Sequence, residues 1–181
     1  MGVLPVPDLY RVTFEGYRMK KLLIILFLLP VTVTAQRECV RRAYESQVGV
    51  KEQGNNSGKH VEMYLKTAGL KPGNPWCASF VYWCHRQCGT DLKISCPAMA
   101  RSWYHQKRLV RIRNKSILTP QPADVVLFIY GKAIYHCGFY DSETRDFVIT
   151  VEGNVSPGGV GGVHKLKRMK RSVYAITRWV N

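Results

Sequence analysis

The sequence predicts an α+β fold in which N-terminal helices pack on an antiparallel β-sheet. In the first half of the chain, apolar residues recur at the three- and four-residue spacing of amphipathic helices. After residue 124, four segments are rich in β-branched and aromatic residues, and connections of hairpin length join the first three. Helices followed by strands favour an antiparallel sheet, because a parallel sheet needs the two to alternate along the chain.

Length and composition indicate one folded domain. The chain has 181 residues, of which 46% are hydrophobic, and this share excludes a disordered protein. The sequence contains no repeat and no glycine-, serine- or proline-rich linker that would mark an internal boundary.

The N-terminal segment is predicted to be a secretory signal peptide. Lys20 and Lys21 precede the apolar run Leu22–Leu29, and small residues follow at Val33 and Ala35. The run is too short for a membrane-spanning helix, which needs roughly 20 apolar residues. The sequence therefore predicts cleavage after Ala35 and no stable membrane insertion afterwards. The expected division is a misassigned upstream start over 1–18, a signal peptide over 19–35 and a single domain over 36–181.

The chain is strongly basic, with 27 Lys and Arg against 12 Asp and Glu and a formal net charge of +15. Removal of residues 1–35 takes away four basic and two acidic residues, which leaves 23 and 10 and a net charge of +13. Such a domain suits a polyanionic surface. The basic residues form no recognisable nucleic-acid motif, so no nucleic-acid partner is expected. The densest basic run, residues 165–171, is predicted to be a solvated loop, with an anion-attracting patch as the alternative.

Two amphipathic helices are predicted before the first conspicuous turn. The first covers residues 37–48, and a glycine- and asparagine-rich loop over 49–58 follows it. The second begins at Lys59 and ends before Gly69, which can cap a helix C-terminus.

A third helix is predicted to follow the turn 71–75 and to extend through Cys84. Asn74 is the expected N-cap and Pro75 the first helical residue, because both residue types are favoured at those positions. A further short helix is expected over 99–106.

The predicted strands cover residues 125–130, 135–140, 147–152 and 173–180. Residues 131–133 and 142–145 are predicted to be the hairpin connections between the first three strands.

A cysteine, a histidine and a carboxylate follow one another in the order expected of a nucleophilic site. With Asn74 as N-cap, Cys77 lies in the first helical turn, where the helix dipole and free N–H groups favour the thiolate. His136 lies in a predicted strand and can act as the base, while Glu152 or Asn154 on the next strand can orient its ring. Taken singly, each residue fits a core position as well.

Four motifs in chain order resemble the CHAP family of cysteine, histidine-dependent amidohydrolases and peptidases that cut peptidoglycan. They are Asn74–Val81, Pro122–Phe128, Tyr135–Tyr140 and Val151–Asn154, with a similar lead-in at Gly49–Gly58. The resemblance implies a papain-like CHAP/NlpC-type fold, with Cys77 as nucleophile, His136 as general base, Glu152 as the orienting residue and Asn154 as its polar partner.

Other residues near these motifs remain open between a functional and a structural role. Glu52, Asn55 and Asn56 either line a substrate cleft or belong to a connecting loop. Trp76 either packs against substrate or fills the core, and the core is the favoured interpretation. Asp124 is interpreted as a polar residue at a turn or at the start of a strand, rather than as a catalytic carboxylate.

Two departures from the family pattern occur. Ala123 replaces a usual glycine, and Cys137 stands where valine or isoleucine is commoner. Neither residue is part of the implied triad.

Five cysteines besides Cys77 are candidates for disulfides, which export permits. Cys84 and Cys88 are four residues apart on a helix, where Cβ atoms lie about 5–6 Å apart, too far for a disulfide. A pair of Cys96 with Cys84 or Cys88 is expected. The cysteines and histidines lack the paired spacing of a zinc site, so no metal is predicted. His60, His85, His105 and His164 are expected to face solvent.

Together these observations predict an exported bacterial peptidoglycan hydrolase, periplasmic or secreted, that cleaves an amide or peptide bond through a Cys77 thioester. The bond is either that of an N-acetylmuramoyl-L-alanine amidase or one within the stem or cross-bridge. No cofactor is expected, the partner is peptidoglycan, and the protein is expected to be a monomer. The alternative is a non-catalytic module that binds the cell wall or an anionic surface.

Overall fold

The structure is a computed structural model that describes residues 34–113 and 115–180. Contacts divide the chain into the units 1–35 and 36–181, and the fold described below is that of the second unit. The predicted upstream start and nearly all of the predicted signal peptide lie outside the described residues. None of the helices in the described part is long and apolar enough to cross a membrane.

Three α-helices occupy the first half of the described chain. Residues 34–45 form helix α1, and α2 and α3 follow at Lys59–Thr67 and Cys77–Gln87. Tyr64 on α2 packs on α3, with its ring centroid 5.4 Å from that of Phe80 and 5.2 Å from that of Trp83. These apolar contacts explain the helical periodicity in the sequence.

The third helix begins later than predicted. Trp76, not Asn74, is its N-cap, and Cys77 is its first residue. The Asn74 amide instead donates a hydrogen bond to the carbonyl oxygen of Lys71 within the preceding turn, so it is not available to cap α3. The helix expected over 99–106 is replaced by two short 3₁₀ turns, Ala100–Trp103 and Gln106–Arg108, separated by extended backbone at Tyr104.

In the described part of the chain, seven strands form one antiparallel sheet in the order β2-β1-β7-β3-β4-β5-β6. The predicted α+β class and antiparallel sheet are therefore confirmed. The strands are β1 Leu109–Ile112, β2 Lys115–Ser116, β3 Val125–Tyr130, β4 Ala133–Glu143, β5 Phe147–Val155, β6 Gly162–Met169 and β7 Ala175–Thr177.

The two faces of the sheet carry separate apolar clusters. Val125 and Leu127 on β3 join the main core, which includes the buried residues of the helices. Their neighbours Val126 and Phe128 belong to a second cluster with Tyr140. Alternation along a strand sends successive side chains to opposite faces. Helices therefore cover one face, and the other face has a smaller core of its own.

The basic run at 165–171 is not the solvated loop that was predicted. Most of it forms β6 at the edge of the sheet, where Lys165 and Lys167 are exposed and Leu166 and Arg168 are half-buried. A charged edge strand is a common protection against edge-to-edge aggregation.

Asp124 is a buried structural carboxylate. It is fully buried just before β3, accepts a hydrogen bond from the Gln121 N–H, and forms ion pairs with Arg37 and Arg178. These contacts join α1, the start of β3 and the end of β7, in agreement with the structural interpretation of this residue.

The predicted pairing of Cys96 is wrong. The disulfide joins Cys39 on α1 to Cys88 at the end of α3, with Cα atoms 5.8 Å apart. Cys96 is exposed and free, and Cys84 is free and buried inside α3. The long-range packing of α1 against the end of α3 selects Cys88, which local spacing did not reveal.

His85 is fully buried, contrary to the expectation that it faces solvent. Its ring stacks on Trp103 with centroids 5.5 Å apart. Burial lowers the pKa of His85 to about 3, so the ring is neutral within the core.

Candidate active site

Cys77 is the first residue of α3 and lies at the edge of the core with 7% of its surface exposed. The first intrahelical hydrogen bond of α3 runs from the Phe80 N–H to the Trp76 carbonyl oxygen. N–H groups in the first turn of a helix have no intrahelical acceptor. The sulfur therefore lies beside backbone donors and the positive end of the helix dipole, both of which favour a thiolate.

His136 lies on β4 between Cys77 and a buried carboxylate. Its Nε2 atom is 2.8 Å from Oε2 of Glu152 on the neighbouring strand β5. Its ring also interacts with the Cys77 sulfur, since the Cys77 side chain raises the pKa of His136 and the His136 ring lowers that of Cys77. Because Glu152 occupies Nε2, Nδ1 is the nitrogen that faces Cys77. The three residues thus form a chain of contacts, with the imidazole in the middle.

Glu152 is fully buried and is held by more partners than His136 alone. Arg168 on β6 donates hydrogen bonds to both of its carboxylate oxygens, at 2.8 and 2.6 Å. The Thr150 hydroxyl donates a further hydrogen bond to Oε1 at 2.5 Å. A buried carboxylate is costly unless its oxygens are paired, and these contacts satisfy them.

A glycine on β4 makes room for this carboxylate. A Cβ atom added to Gly138 would lie 2.6 Å from Cγ of Glu152 and 2.8 Å from the Val151 carbonyl oxygen. Real Cβ atoms do not approach so closely. The position of Glu152 beside His136 therefore depends on the absence of a side chain at 138.

The electrostatics of the site favour an ion pair between Cys77 and His136. A hydrogen bond from Cys137 and contacts with His136 outweigh burial and hold the pKa of Cys77 well below its usual range. Burial alone would lower the pKa of His136, but hydrogen bonds to Cys77 and Glu152 raise it to about 9. Burial opposes ionisation of Glu152 as well, but Arg168 and His136 lower its pKa to about 2. At neutral pH the site holds thiolate, imidazolium and carboxylate.

Cys137 is a buried thiol that contacts the nucleophile. Burial and the neighbouring Cys77 sulfur raise the pKa of Cys137 well above its usual range. It therefore remains a thiol and can donate its S–H, while both its side chain and its backbone stabilise the Cys77 anion. A valine or isoleucine in this place would offer only the backbone N–H.

Asn154 occupies a different place from the one the resemblance implies. Its side-chain oxygen accepts the Trp76 N–H at 3.2 Å, and its amide donates to the Asn56 oxygen at 2.7 Å. The left-handed backbone at Asn154, with φ of 60°, accompanies this orientation. Asn154 thus anchors the residue before Cys77 and the loop 53–58, while Glu152 is the partner of the His136 ring.

Trp76 is fully buried, so the structure places it in the core and not against a substrate. Its ring lies 5.6 Å from that of Tyr64, and its Nε1 donates to Oε2 of Glu52 at 3.3 Å. A Cβ atom on Gly153 would lie 2.6 Å from the Trp76 ring. The residue before the nucleophile is therefore fixed by tight packing.

The remaining candidates lie on the loop next to this packing. Glu52 is half-buried and supports the Trp76 indole, while Asn56 binds Asn154. Asn55 is exposed on the same loop. Of the three, Asn55 is the most exposed and the best placed to contact a bound substrate. Glu52 and Asn56 instead shape the loop through their contacts with Trp76 and Asn154.

Within the described residues, no group of three or more His, Cys, Asp or Glu side chains is placed to hold a metal ion. Buried polar atoms without partners are also few there, namely Ser79 Oγ, His85 Nε2 and His164 Nε2. His164 is thus partly enclosed and not solvent-facing as expected.

Comparison with protein families matches residues 69–154 to the CHAP domain. Over these residues the chain is similar to CHAP domains. Searches of the curated proteins and of the solved structures found no match. CHAP domains are amidohydrolases and peptidases, and the match indicates a hydrolase of the peptidoglycan amidase type.

The CHAP match contains Cys77, His136, Glu152 and Asn154, but it ends before Arg168. Sequence reasoning missed Arg168 because it treated the basic run as a loop. A signal was nevertheless present in the spacing. Arg168 follows Glu152 by 16 residues, as Glu152 follows His136, which is consistent with three adjacent antiparallel strands.

Proposed function

We propose that this CHAP-like domain is an exported bacterial peptidoglycan hydrolase that cleaves an amide bond through a Cys77 thioester. The observation that carries the proposal is the continuous contact from the Cys77 sulfur through the His136 ring to the buried Glu152 carboxylate. A nucleophile, a base and a group that orients the base are the parts that cysteine amide hydrolysis requires.

Acylation begins with attack of the Cys77 thiolate on the carbonyl carbon of the scissile amide. The developing oxyanion is stabilised by first-turn N–H groups of α3, the Cys77 N–H among them. His136 then gives its proton to the leaving nitrogen, the C–N bond breaks, and the amine departs. Glu152 remains ionised and keeps the ring in place through Nε2.

Deacylation reverses the role of His136. The neutral imidazole takes a proton from water as the oxygen attacks the thioester carbonyl. The C–S bond then breaks, Cys77 leaves as a thiolate, and the carboxylic acid product is released. The cycle ends with the thiolate–imidazolium pair restored, so no cofactor takes part.

The proposed substrate is bacterial peptidoglycan, reached in the periplasm or outside the cell. The net charge of +13 that remains after removal of residues 1–35 supports retention on an acidic polymer. The half-buried Cys39–Cys88 disulfide is consistent with an oxidising compartment. The bond is either muramoyl–L-alanine or one within the stem or cross-bridge.

The experiment that tests this function compares the purified protein with its Cys77→Ala and Cys96→Ala variants on isolated sacculi of several wall types. Cys96 is an exposed free thiol away from His136, so its removal is the matched control. Mass spectrometry of the released fragments identifies the new termini and hence the bond. We expect new termini with the unsubstituted protein and with Cys96→Ala, and none with Cys77→Ala.

Binding of all three proteins to sacculi without new termini on any wall type would instead support the non-catalytic module. New termini that persist with Cys77→Ala would remove Cys77 from the role of nucleophile.

A further inference from the structure

A basic groove lies away from the candidate active site. We define the basic groove by Lys93, His105, Lys107 and Arg108, which line a cavity of about 480 Å³ together with Trp179. An adjoining cavity of about 370 Å³ shares Lys93, Arg108 and Trp179 with it. The two cavities therefore present one elongated, positively charged depression.

The cations of the basic groove have no carboxylate partner. Among the described residues, no ion pair involves Lys93, Lys107 or Arg108, although ion pairs neutralise Arg168 and Arg178. Among the described residues, no acidic side chain lines the larger cavity, and Asp91 lines the adjoining one. Three permanent charges thus converge on the larger cavity without an ion-pair partner, which concentrates a positive potential there.

Arg108 is held in position inside the basic groove. Its guanidinium lies 4.5 Å from the centroid of the Trp179 ring, and Nη1 donates to the Arg178 carbonyl oxygen at 3.2 Å. Trp179 is itself packed on Trp103 with centroids 5.3 Å apart. A guanidinium fixed in this way loses little side-chain entropy when an anion binds.

The basic groove and the candidate active site lie beside different strands of the sheet. Arg108 comes just before β1, and Trp179 comes just after β7. His136 is on β4, and β3 lies between β7 and β4. Residues of the groove can therefore change without altering the contacts of Cys77 or Glu152.

We propose that the basic groove binds a phosphodiester polymer with a polyol backbone, attached to the cell wall, and so holds the enzyme on its substrate. The proposal rests on the proposed function for its setting, but binding itself does not require hydrolysis. Arginine and lysine side chains suit repeated phosphate groups, since Arg binds them in a bidentate manner and Lys acts as a point charge.

The lining of the basic groove favours a polyol phosphate over a nucleic acid. Proteins that bind single strands provide exposed aromatic rings on which the bases stack. The one indole of this groove, Trp179, is 4% exposed and already covered by Arg108. The groove therefore offers charge for the phosphates, but no exposed indole, phenol or phenyl ring on which bases could stack.

The test compares two double variants that change net charge by the same amount. Lys93→Glu/Lys107→Glu reverses two cations of the basic groove. Lys59→Glu/Lys66→Glu reverses two exposed lysines on α2 and is the matched control. The parent protein and both double variants are prepared with the Cys77→Ala substitution, so that binding is measured without turnover. The groove variant is also made with Cys77 intact.

The probes are inorganic polyphosphate, an unstructured DNA oligonucleotide of equal charge, and sacculi before and after chemical removal of their phosphodiester polymers. We expect the groove variant to bind polyphosphate and untreated sacculi about tenfold or more weakly, with a shallower salt dependence. The control variant should lose less than about threefold. Removal of the wall polymers should weaken binding of the parent protein to the level of the groove variant.

Equal losses in the two double variants would overturn the proposal, because net charge alone would then explain binding. Groove-dependent binding that is tighter for the oligonucleotide than for polyphosphate would overturn the polyol assignment. With Cys77 intact, the groove variant should retain the hydrolysis of soluble fragments seen with the unsubstituted protein. If neither protein hydrolyses them, the proposed function fails, while the binding comparison still decides the role of the groove.

Discussion

Arg168 donates two hydrogen bonds to Glu152, one to each carboxylate oxygen, and so fixes the group that holds the His136 ring. The guanidinium also lies 5.4 Å from the Phe128 ring, which in turn lies 5.6 Å from the imidazole. Arg168 touches neither the nucleophile nor its attacking path. It is a positioning residue that acts through Glu152.

Arg168→Gln should lower kcat by about 10- to 100-fold with a smaller change in KM, because Glu152 loses the contacts that orient it. Without the neighbouring cation, the pKa of Glu152 rises, and the carboxylate interacts more strongly with His136. The alkaline limb of the kcat/KM profile should therefore move to higher pH. Arg168→Lys keeps the charge but not the paired hydrogen bonds. Its alkaline limb should lie near that of the parent protein, while its kcat should remain below the parent value. An unchanged pH profile in Arg168→Gln would contradict this role.

Cys137→Val should raise the pKa of Cys77, because the S–H donor to the thiolate is lost while the backbone contact remains. The acid limb of kcat/KM should move to higher pH, and the maximal rate should change less than threefold, since valine fills a similar volume. Cys137→Ser, which keeps a donor, should shift the limb less. Acid limbs that coincide for all three proteins would exclude the Cys137 thiol as a stabiliser of the anion.

Gly138→Ala should reduce activity by about tenfold or more. The added methyl group would meet Cγ of Glu152 at 2.6 Å and force the carboxylate away from His136. A loss of about 1–3 kcal/mol in unfolding free energy should accompany it, because the site is closely packed. Kinetics and denaturant unfolding measure the two effects. An active and fully stable variant would show that Glu152 has room that the structure does not indicate.

Replacement of both Cys39 and Cys88 by alanine should lower the unfolding free energy by about 2–4 kcal/mol. The disulfide closes a loop of 49 residues that ties α1 to the end of α3. It does not contact Cys77, so activity should persist at temperatures where the variant remains folded. Cys96→Ala is the control and should unfold like the parent protein. Equal stability of the double variant and the parent would show that the helices are held without the cross-link.

The sequence predicted the parts of the fold in which local pattern and final structure agree. Residues 125–130 are all β-branched, aromatic or leucine, and they form β3 with the predicted bounds. Strand β6 was missed because Lys165, Lys167 and Arg168 make this segment polar on both faces, although exposed and half-buried residues alternate along it. Only the pairing of β6 with β5 reveals that Arg168 has a buried partner.

Contacts between distant segments account for the other differences. Cys39 and Cys88 are 49 residues apart, and nothing local distinguishes Cys88 from Cys84 as a partner. Asn154 was assigned to the histidine from its place in the chain, and Trp76 was left open between substrate and core, with the core favoured. The Trp76 N–H and Asn56 bind the Asn154 side chain, and burial removes the Trp76 ring from solvent. Such assignments need the register and packing of the folded chain.

The central claim is that Cys77 exists as a thiolate paired with protonated His136. The most direct measurement is the rate of alkylation of Cys77 against pH, followed by mass spectrometry of the Cys77 peptide, with the exposed Cys96 as reference in the same sample. The structure predicts that Cys77 reacts rapidly at acidic and neutral pH, where an ordinary thiol is protonated. The His136→Ala variant should lose this low-pH reactivity. Alkylation of Cys77 that begins only near pH 8–9, or that does not change when His136 is removed, would contradict the ion pair.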